Sequence, residues 1–179
     1  LSGLVEELLD FSRLQNNRMR LMVSRLDILA ELDEAVYMFT DRARTEEKQL
    51  NYEETTALPP VYGDVDRLRQ VFVNIIDNAL KYTSPGGTIT VSSREDSGWV
   101  RVVISDTGCG IPEVYQRSIF QPFFRVDKSR SREYGGAGLG LSLVWEIADL
   151  HGGSVWVEKS SEKGTTIAVG LPTQQSTKP

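Results

Sequence analysis

The chain carries two carboxamides and an ammonium, Asn74, Asn78 and Lys81, at i, i+4 and i+7, a spacing that aims all three along one stripe of a helix. An amide oxygen is a hard ligand suited to Mg2+, which keeps waters and substrate phosphates in its shell, and a lysine offers phosphate a point charge. Taken alone, the stripe is equally a solvated helix face with no duty. Tyr82, one residue on, either stacks on an aromatic ligand or covers the edge of the core. A second cluster is Asp106-Thr107-Gly108-Cys109-Gly110-Ile111-Pro112. A strand-ending aspartate followed by two glycines can face a crevice and accept a hydrogen bond from an exocyclic amine such as adenine N6, with Gly108 and Gly110 letting the backbone pass close to the ring. An ordinary capped turn is the alternative.

Further along, Gly135, Gly136, Gly138 and Gly140 precede an apolar, helix-like run, with Arg125, Lys128, Arg130 and Arg132 just upstream. This is the composition of a mobile anion-binding lid: close backbone approach, a helix start with unpaired N–H groups, and cations within reach of phosphate. A plain turn before a helix has the same composition. The cluster at residues 106–112 is not a Walker loop, which ends in Gly-Lys-Ser/Thr, and it lacks the long helix that directly follows a dinucleotide fingerprint. The cluster Phe120-Gln121-Pro122-Phe123-Phe124 reads as an anchor tying a breaker-rich loop to the core, with a part in lid closure as the alternative.

These groups need elements to hold them. Leu4, Val5, Leu8, Leu9, Phe11 and Leu14 predict an amphipathic helix over about 1–19. Its stripe either packs on this domain or is half of a helical hairpin. A short strand at 21–26, a helix at about 29–48 on Leu29, Leu32, Ala35, Val36 and Phe39, and a strand at 49–54 follow. Asp64 reads as the N-cap of a helix over about 65–82, ended by Ser84-Pro85-Gly86-Gly87. Strands at 88–93 and 99–105 flank a hairpin turn at Asp96-Ser97-Gly98. Only a short helical stretch near 113–119 interrupts the irregular region 106–138. A helix at about 139–151 and strands at 154–159 and 164–171 complete the order. Helices followed by hairpin-connected strands predict a two-layer α/β (α+β) arrangement in which helices cover one face of a mixed sheet and leave the other face partly free.

The chain has 179 residues, 40% of them hydrophobic, enough for one main core. A net charge of −5 argues against broad attraction to nucleic acid and leaves the basic cluster at 125–132 to a small or locally held anion. The single cysteine, Cys109, excludes an internal disulfide and a cysteine-cluster metal site and suggests a reducing compartment.

In this order, the clusters resemble the ATP-binding catalytic domain of sensor histidine kinases, in the superfamily of Hsp90, gyrase B and MutL. Residues 74–81 look like the N box, 106–110 the G1 box, 120–124 the F box and 136–140 the G2 box. The resemblance implies a two-layer sandwich of the Bergerat fold with a mixed, mostly antiparallel sheet and three main helices. It implies ATP and Mg2+ as the bound species, Asn78 and Asn74 as metal ligands, Lys81 on phosphate, Asp106 on adenine, and Arg130 or Arg132 as the γ-phosphate contact. Nucleotide contacts are further implied for Tyr82, Gly108, Gly110, Ile111, Phe124, Gly136, Gly138, Leu139, Gly140, Leu141 and Thr165.

The resemblance extends upstream: residues 4–13 look like the second helix of the dimerisation and histidine-phosphotransfer domain. The implied division is residues 1–20 for that partial helix, 21–172 for the catalytic domain and 173–179 for a polar tail. The family's phosphoacceptor sits in a His-Glu/Asp motif, and here the only histidine, His151, lacks an acidic neighbour after it and reads as a capping or packing residue. The expectation is a fragment that holds nucleotide and lacks its substrate histidine and the acid beside it. The implied partners are a phosphotransfer helix of the same parent, a response-regulator receiver domain and a second copy of the parent. The implied location is a cytoplasmic domain of a parent anchored in the bacterial inner membrane. A water-activating ATPase of the same superfamily is disfavoured because Asn74 occupies the place of its glutamate, and a non-catalytic regulatory module because Asn78, Lys81, Asp106 and the glycines of a nucleotide site are all present.

Overall fold

The computed structural model describes residues 20–122, 124 and 140–173, together with Val5, Leu8 and Leu9. In chain order the elements are β1 (Val23–Leu26), α1 (Ile28–Thr45), β2 (Gln49–Glu53), β3 (Val61–Asp64), α2 (Val65–Tyr82), β4 (Thr88–Asp96), β5 (Trp99–Asp106), α3 (Gly140–Leu150), β6 (Ser154–Ser161) and β7 (Gly164–Pro172). Between β5 and α3, two separate 3-10 turns, Glu113–Tyr115 and Ser118–Phe120, stand where one short helical stretch was expected. Five strands form a sheet in the order β2-β4-β5-β7-β6; β2 and β4 are parallel and the other pairs antiparallel. Strand β3, which sequence periodicity does not predict, pairs antiparallel with β1 in a separate two-stranded sheet. Among the described residues no helix is long and apolar enough to cross a membrane.

Helix α2 is the central positioning element. Asp64 caps it: its Oδ1 accepts from the Asp66 and Arg67 N–H groups at 3.1 and 3.2 Å, and Oδ2 from the Met22 N–H at 2.9 Å. One carboxylate thus satisfies two orphan helix donors and fixes the approach to β1. Leu68, Val71, Phe72, Ile75, Ile76, Ala79 and Leu80 recur at helical spacing and are buried. Burying each of the large ones contributes roughly 1.5–3 kcal/mol, so the apolar stripe rather than helix propensity holds α2 in place. At the C-terminal end the Thr83 hydroxyl donates to Ala79 O at 2.8 Å, and Pro85 disfavours a helical conformation at Ser84.

Helices α1 and α3 pack beside α2, and their buried faces meet β4, β5 and β7 in one core that includes Ile28, Leu32, Ile89, Val102, Leu143, Ile147 and Val169. The polar residues of α2 reach both neighbours: Asn74 bonds Gly140 at the start of α3, and Asp77 pairs with Arg42 on α1. On the opposite face of the sheet, Trp99 is 42% exposed, and the Arg101 guanidinium lies over the Trp156 ring, 5.3 Å from its centroid. The expected free face is thus partly covered by its own side chains. In the N-terminal segment, Val5, Leu8 and Leu9 are helical and 54%, 40% and 51% exposed, so these three stripe residues are not covered by the domain.

Candidate nucleotide site

The end of β5 sets the first half of the site. Its register puts Asp106 opposite Thr165 at the start of β7. The Thr165 N–H donates to Asp106 Oδ1 at 3.2 Å, and the Gly108 N–H donates to the same oxygen at 2.9 Å. Burial pushes the Asp106 carboxyl above its ordinary value of 3.8, while these two backbone N–H groups pull it down. A half-buried carboxylate with one oxygen held by main chain is a rigid acceptor for a donor approaching the other oxygen.

The glycines of this loop are there because side chains do not fit. A Cβ on Gly108 would collide with the Tyr82 carbonyl oxygen at the end of α2, and Gly110 has φ +78° with its Cβ position against the Ser161 carbonyl. The loop is pinned from the β6–β7 hairpin as well: the Ile111 N–H donates to Ser160 Oγ at 2.7 Å, and Ser160 Oγ and Thr165 Oγ1 lie 2.9 Å apart. Ser160 is a site-shaping residue that sequence reasoning missed; a strand serine carries no signal until β6 is seen beside the loop. Thr165 is 5% exposed, and its visible work is to hold Asp106.

The second half of the site is the polar stripe of α2. Asn74 Nδ2 donates to Gly140 O at 3.2 Å, so this carboxamide ties the first residue of α3 to α2. One of its two N–H donors is committed, and its oxygen can still accept from or ligate a partner. Asn78 is half-buried, and among the described residues its carboxamide has no hydrogen-bond partner. Lys81 Nζ is 3.1 Å from Asp77 Oδ2. Tyr82 is 43% exposed, so its ring stands at the rim rather than sealing the core. Leu141 is partly buried against the core, as is Phe120, which gives Phe120 the expected anchoring role. The Phe124 ring is tilted 47° against Tyr115 with centroids 5.6 Å apart.

Arg130, Arg132, Gly136, Gly138 and Leu139, with the rest of the expected lid, lie outside the described residues. No group of three or more His, Cys, Asp or Glu side chains able to hold a metal occurs among the described residues. Mg2+ does not need one: it keeps several waters and binds through few protein oxygens plus substrate phosphates, a demand that the amide oxygen of Asn78 fits.

His151 is accounted for structurally. Its Nε2 accepts from the Asp64 N–H at 3.0 Å and its Nδ1 is 2.7 Å from Ile147 O, which requires the tautomer with the proton on Nδ1. Burial holds this imidazole below its ordinary 6.5, against the Ile147 carbonyl and the Asp64 charge, which favour the cation. It clamps the start of α2 to the end of α3.

A family model for histidine kinase-, DNA gyrase B- and HSP90-like ATPases matches residues 63–175. The adaptive-response sensory kinase SasA of Synechococcus elongatus is 36% identical over 177 residues, covering 98% of this chain and 45% of that protein. Sensor histidine kinase WalK of Bacillus subtilis is 43% identical over 111 residues, 61% of this chain and 18% of that one. The chain thus spans less than half the length of these curated relatives. Among solved structures, full-length ShkA in complex with AMPPNP superposes with a TM-score of 0.85 at 29% identity, over 95% of this chain and 35% of that one. Histidine kinase ThkA, in complex with the response regulator TrrA, gives 0.79 at 27% identity over 99% and 48%. The chain therefore belongs to the histidine kinase-, DNA gyrase B- and HSP90-like ATPases, as the ATP-binding catalytic domain of a sensor histidine kinase.

Proposed function

We propose that this domain binds Mg-ATP and presents its γ-phosphoryl group to a histidine imidazole on a dimerisation and phosphotransfer domain of the same parent protein, for relay to a receiver-domain aspartate. The observation that carries the proposal is the Asp106 carboxylate, fixed through one oxygen by the Gly108 and Thr165 amides at the foot of a helix that bears Asn78 and Lys81. Asp106 accepts the adenine amine. The main chain at Gly108, Gly110 and Ile111 borders the ring, with Tyr82 and Phe124 at the rim. Lys81 neutralises phosphate charge. Asn78, with the carboxamide oxygen of Asn74, would hold Mg2+, which would supply positive charge against the phosphates. Arg130 or Arg132 contacts the γ-phosphate, with Gly136, Gly138 and Leu139 as further nucleotide contacts, while Gly140 and Leu141 begin α3.

Phosphoryl transfer asks mainly for positioning and charge neutralisation, which this set supplies. The acceptor must come from elsewhere, because both nitrogens of the only imidazole, His151, are engaged. Residues 1–20 are proposed as the second helix of the phosphotransfer domain, residues 21–172 as the catalytic unit and 173–179 as a tail. The exposure of Val5, Leu8 and Leu9 supports a helical partner, and in the parent a second copy, for that stripe. The named complex of ThkA with TrrA supports a receiver domain as the next partner. The test mixes the chain with a polypeptide bearing the first phosphotransfer helix and follows labelled ATP. Acid-labile phosphate on the added histidine is the expected result; failure to bind ATP or ADP, or stoichiometric label on His151, overturns the proposal.

A further inference from the structure

The cations and carboxylates around Lys81 form a row that the nucleotide-contact set does not use. Asp77 precedes Lys81 by one helical turn, and its carboxylate is divided between two cations: Oδ1 accepts from Arg42 Nη1 on α1 at 2.5 Å, and Oδ2 faces Lys81 Nζ at 3.1 Å. Arg42 also donates from Nε to Glu46 Oε2 at 2.8 Å. Glu46 Oε1 in turn accepts from Lys48 Nζ at 2.7 Å, and the same ammonium donates to Leu80 O at 2.7 Å. The order Lys48, Glu46, Arg42, Asp77, Lys81 alternates in sign from the end of α1 to the phosphate-facing stripe. Arg42, Asp77 and Lys81 are 33%, 33% and 26% exposed, so their charges are only partly screened.

We infer that Asp77 is a positioning residue for Lys81 and that Arg42, by sharing the Asp77 carboxylate, sets how strongly Lys81 is held back from phosphate. The inference rests on Lys81 being a phosphate contact. An ammonium has three donors; Asp77 takes one and thereby restricts a side chain that is otherwise free to rotate, and two remain for phosphate oxygens. The same contact opposes phosphate by neutralising part of the lysine charge. With Arg42 in place, Asp77 spends half its hydrogen-bonding capacity elsewhere. Without it, the Asp77 carboxylate is left to Lys81 alone, and phosphate must compete against its undivided charge.

The experiment measures ATP and adenosine affinity of the chain and of Arg42→Met, Arg42→Lys, Lys81→Ala, Asp77→Asn and the double variant Arg42→Met/Asp77→Asn. Methionine removes the charge and retains an apolar stem near Phe39, whose ring lies 5.9 Å from the guanidinium. Arg42→Met is expected to weaken ATP about three- to fivefold, the range of a partly exposed ion pair, and to leave adenosine unchanged. Arg42→Lys recovers most of the ATP affinity, and Arg42→Met has no further effect once Asp77 is asparagine. Equal losses for ATP and adenosine would reduce Arg42 to a packing residue and overturn the inference, as would an undiminished Arg42→Met effect in the Asp77→Asn background. If Lys81→Ala binds ATP like the parent, the assignment of Lys81 to phosphate fails, and the inference falls with its premise rather than on its own terms.

Discussion

Replacing Asp106 with asparagine should separate nucleotide recognition from folding. Oδ1 receives the Gly108 and Thr165 amides at 2.9 and 3.2 Å. An asparagine keeps both bonds by placing its carbonyl oxygen there; the opposite rotamer would set an NH2 group against two N–H donors. The NH2 group is thereby forced to the position of Oδ2, where a donor now meets the adenine amine. Losing a hydrogen bond to a charged acceptor costs about 1.5–3 kcal/mol, or about 10- to 150-fold in Kd. Stability should move the other way or not at all. Burial raises the carboxyl above 3.8 in the folded chain, so the stability associated with its proton is present below 3.8 and lost as pH rises through the higher folded value. At neutral pH the ionised carboxylate is the costly form, and a neutral amide with the same acceptor melts no lower than the parent. Calorimetric titration with ATP and GTP, beside thermal melts of the apo proteins, reads both quantities. Unchanged ATP affinity would refute adenine recognition, and a fall in melting temperature parallel to the affinity loss would make Asp106 a turn residue.

The carboxamide stripe yields a second test: Asn78→Ala should reduce ATP affinity mainly when Mg2+ is present, whereas Lys81→Ala should weaken it in EDTA as well, with apo melts little altered because both side chains lie off the apolar stripe; titrations in the two buffers distinguish them. Ser160→Ala leaves the Ile111 amide without its acceptor and should cost about 1 kcal/mol of stability together with weaker ADP binding, measured by denaturant unfolding and titration; unchanged values for both would show that the hairpin does not brace the loop. His151 is held neutral in the fold below its ordinary 6.5, so its contribution is present above 6.5 and lost as pH falls below it. Melting temperatures between pH 7.5 and 5.5 should accordingly fall less steeply in His151→Gln, and an identical slope would remove this histidine from the acid sensitivity of the fold.

Much of the site was legible because its signals are local. The Asp64 cap, the apolar recurrence along α2 and the proline after Ser84 act within a turn or two of helix, and α2 spans Val65–Tyr82 as its periodicity predicts. The turn at Asp96-Ser97-Gly98 likewise joins β4 to β5, with Ser97 and Gly98 at positive φ. Glycines 108 and 110 could be read as sites of close backbone approach, since only that role or a turn accounts for two of them beside a strand-ending aspartate. What they approach, the Tyr82 and Ser161 carbonyls, could not be read. Strand β3 has four residues and no periodicity of its own, so its pairing with β1 arises only when α1 and β2 return the chain to that place. The parallel register of β2 with β4, carried across α2, is decided by the core that α2 must cover. The same holds for Ser160 on Ile111 and Arg42 on Asp77, contacts across 49 and 35 positions. Sequence alone offered the candidates for adenine, phosphate and metal recognition. Only packing decided which backbone holds Asp106 and which carboxylate shares Lys81, because those choices depend on the distance between segments that no local pattern encodes.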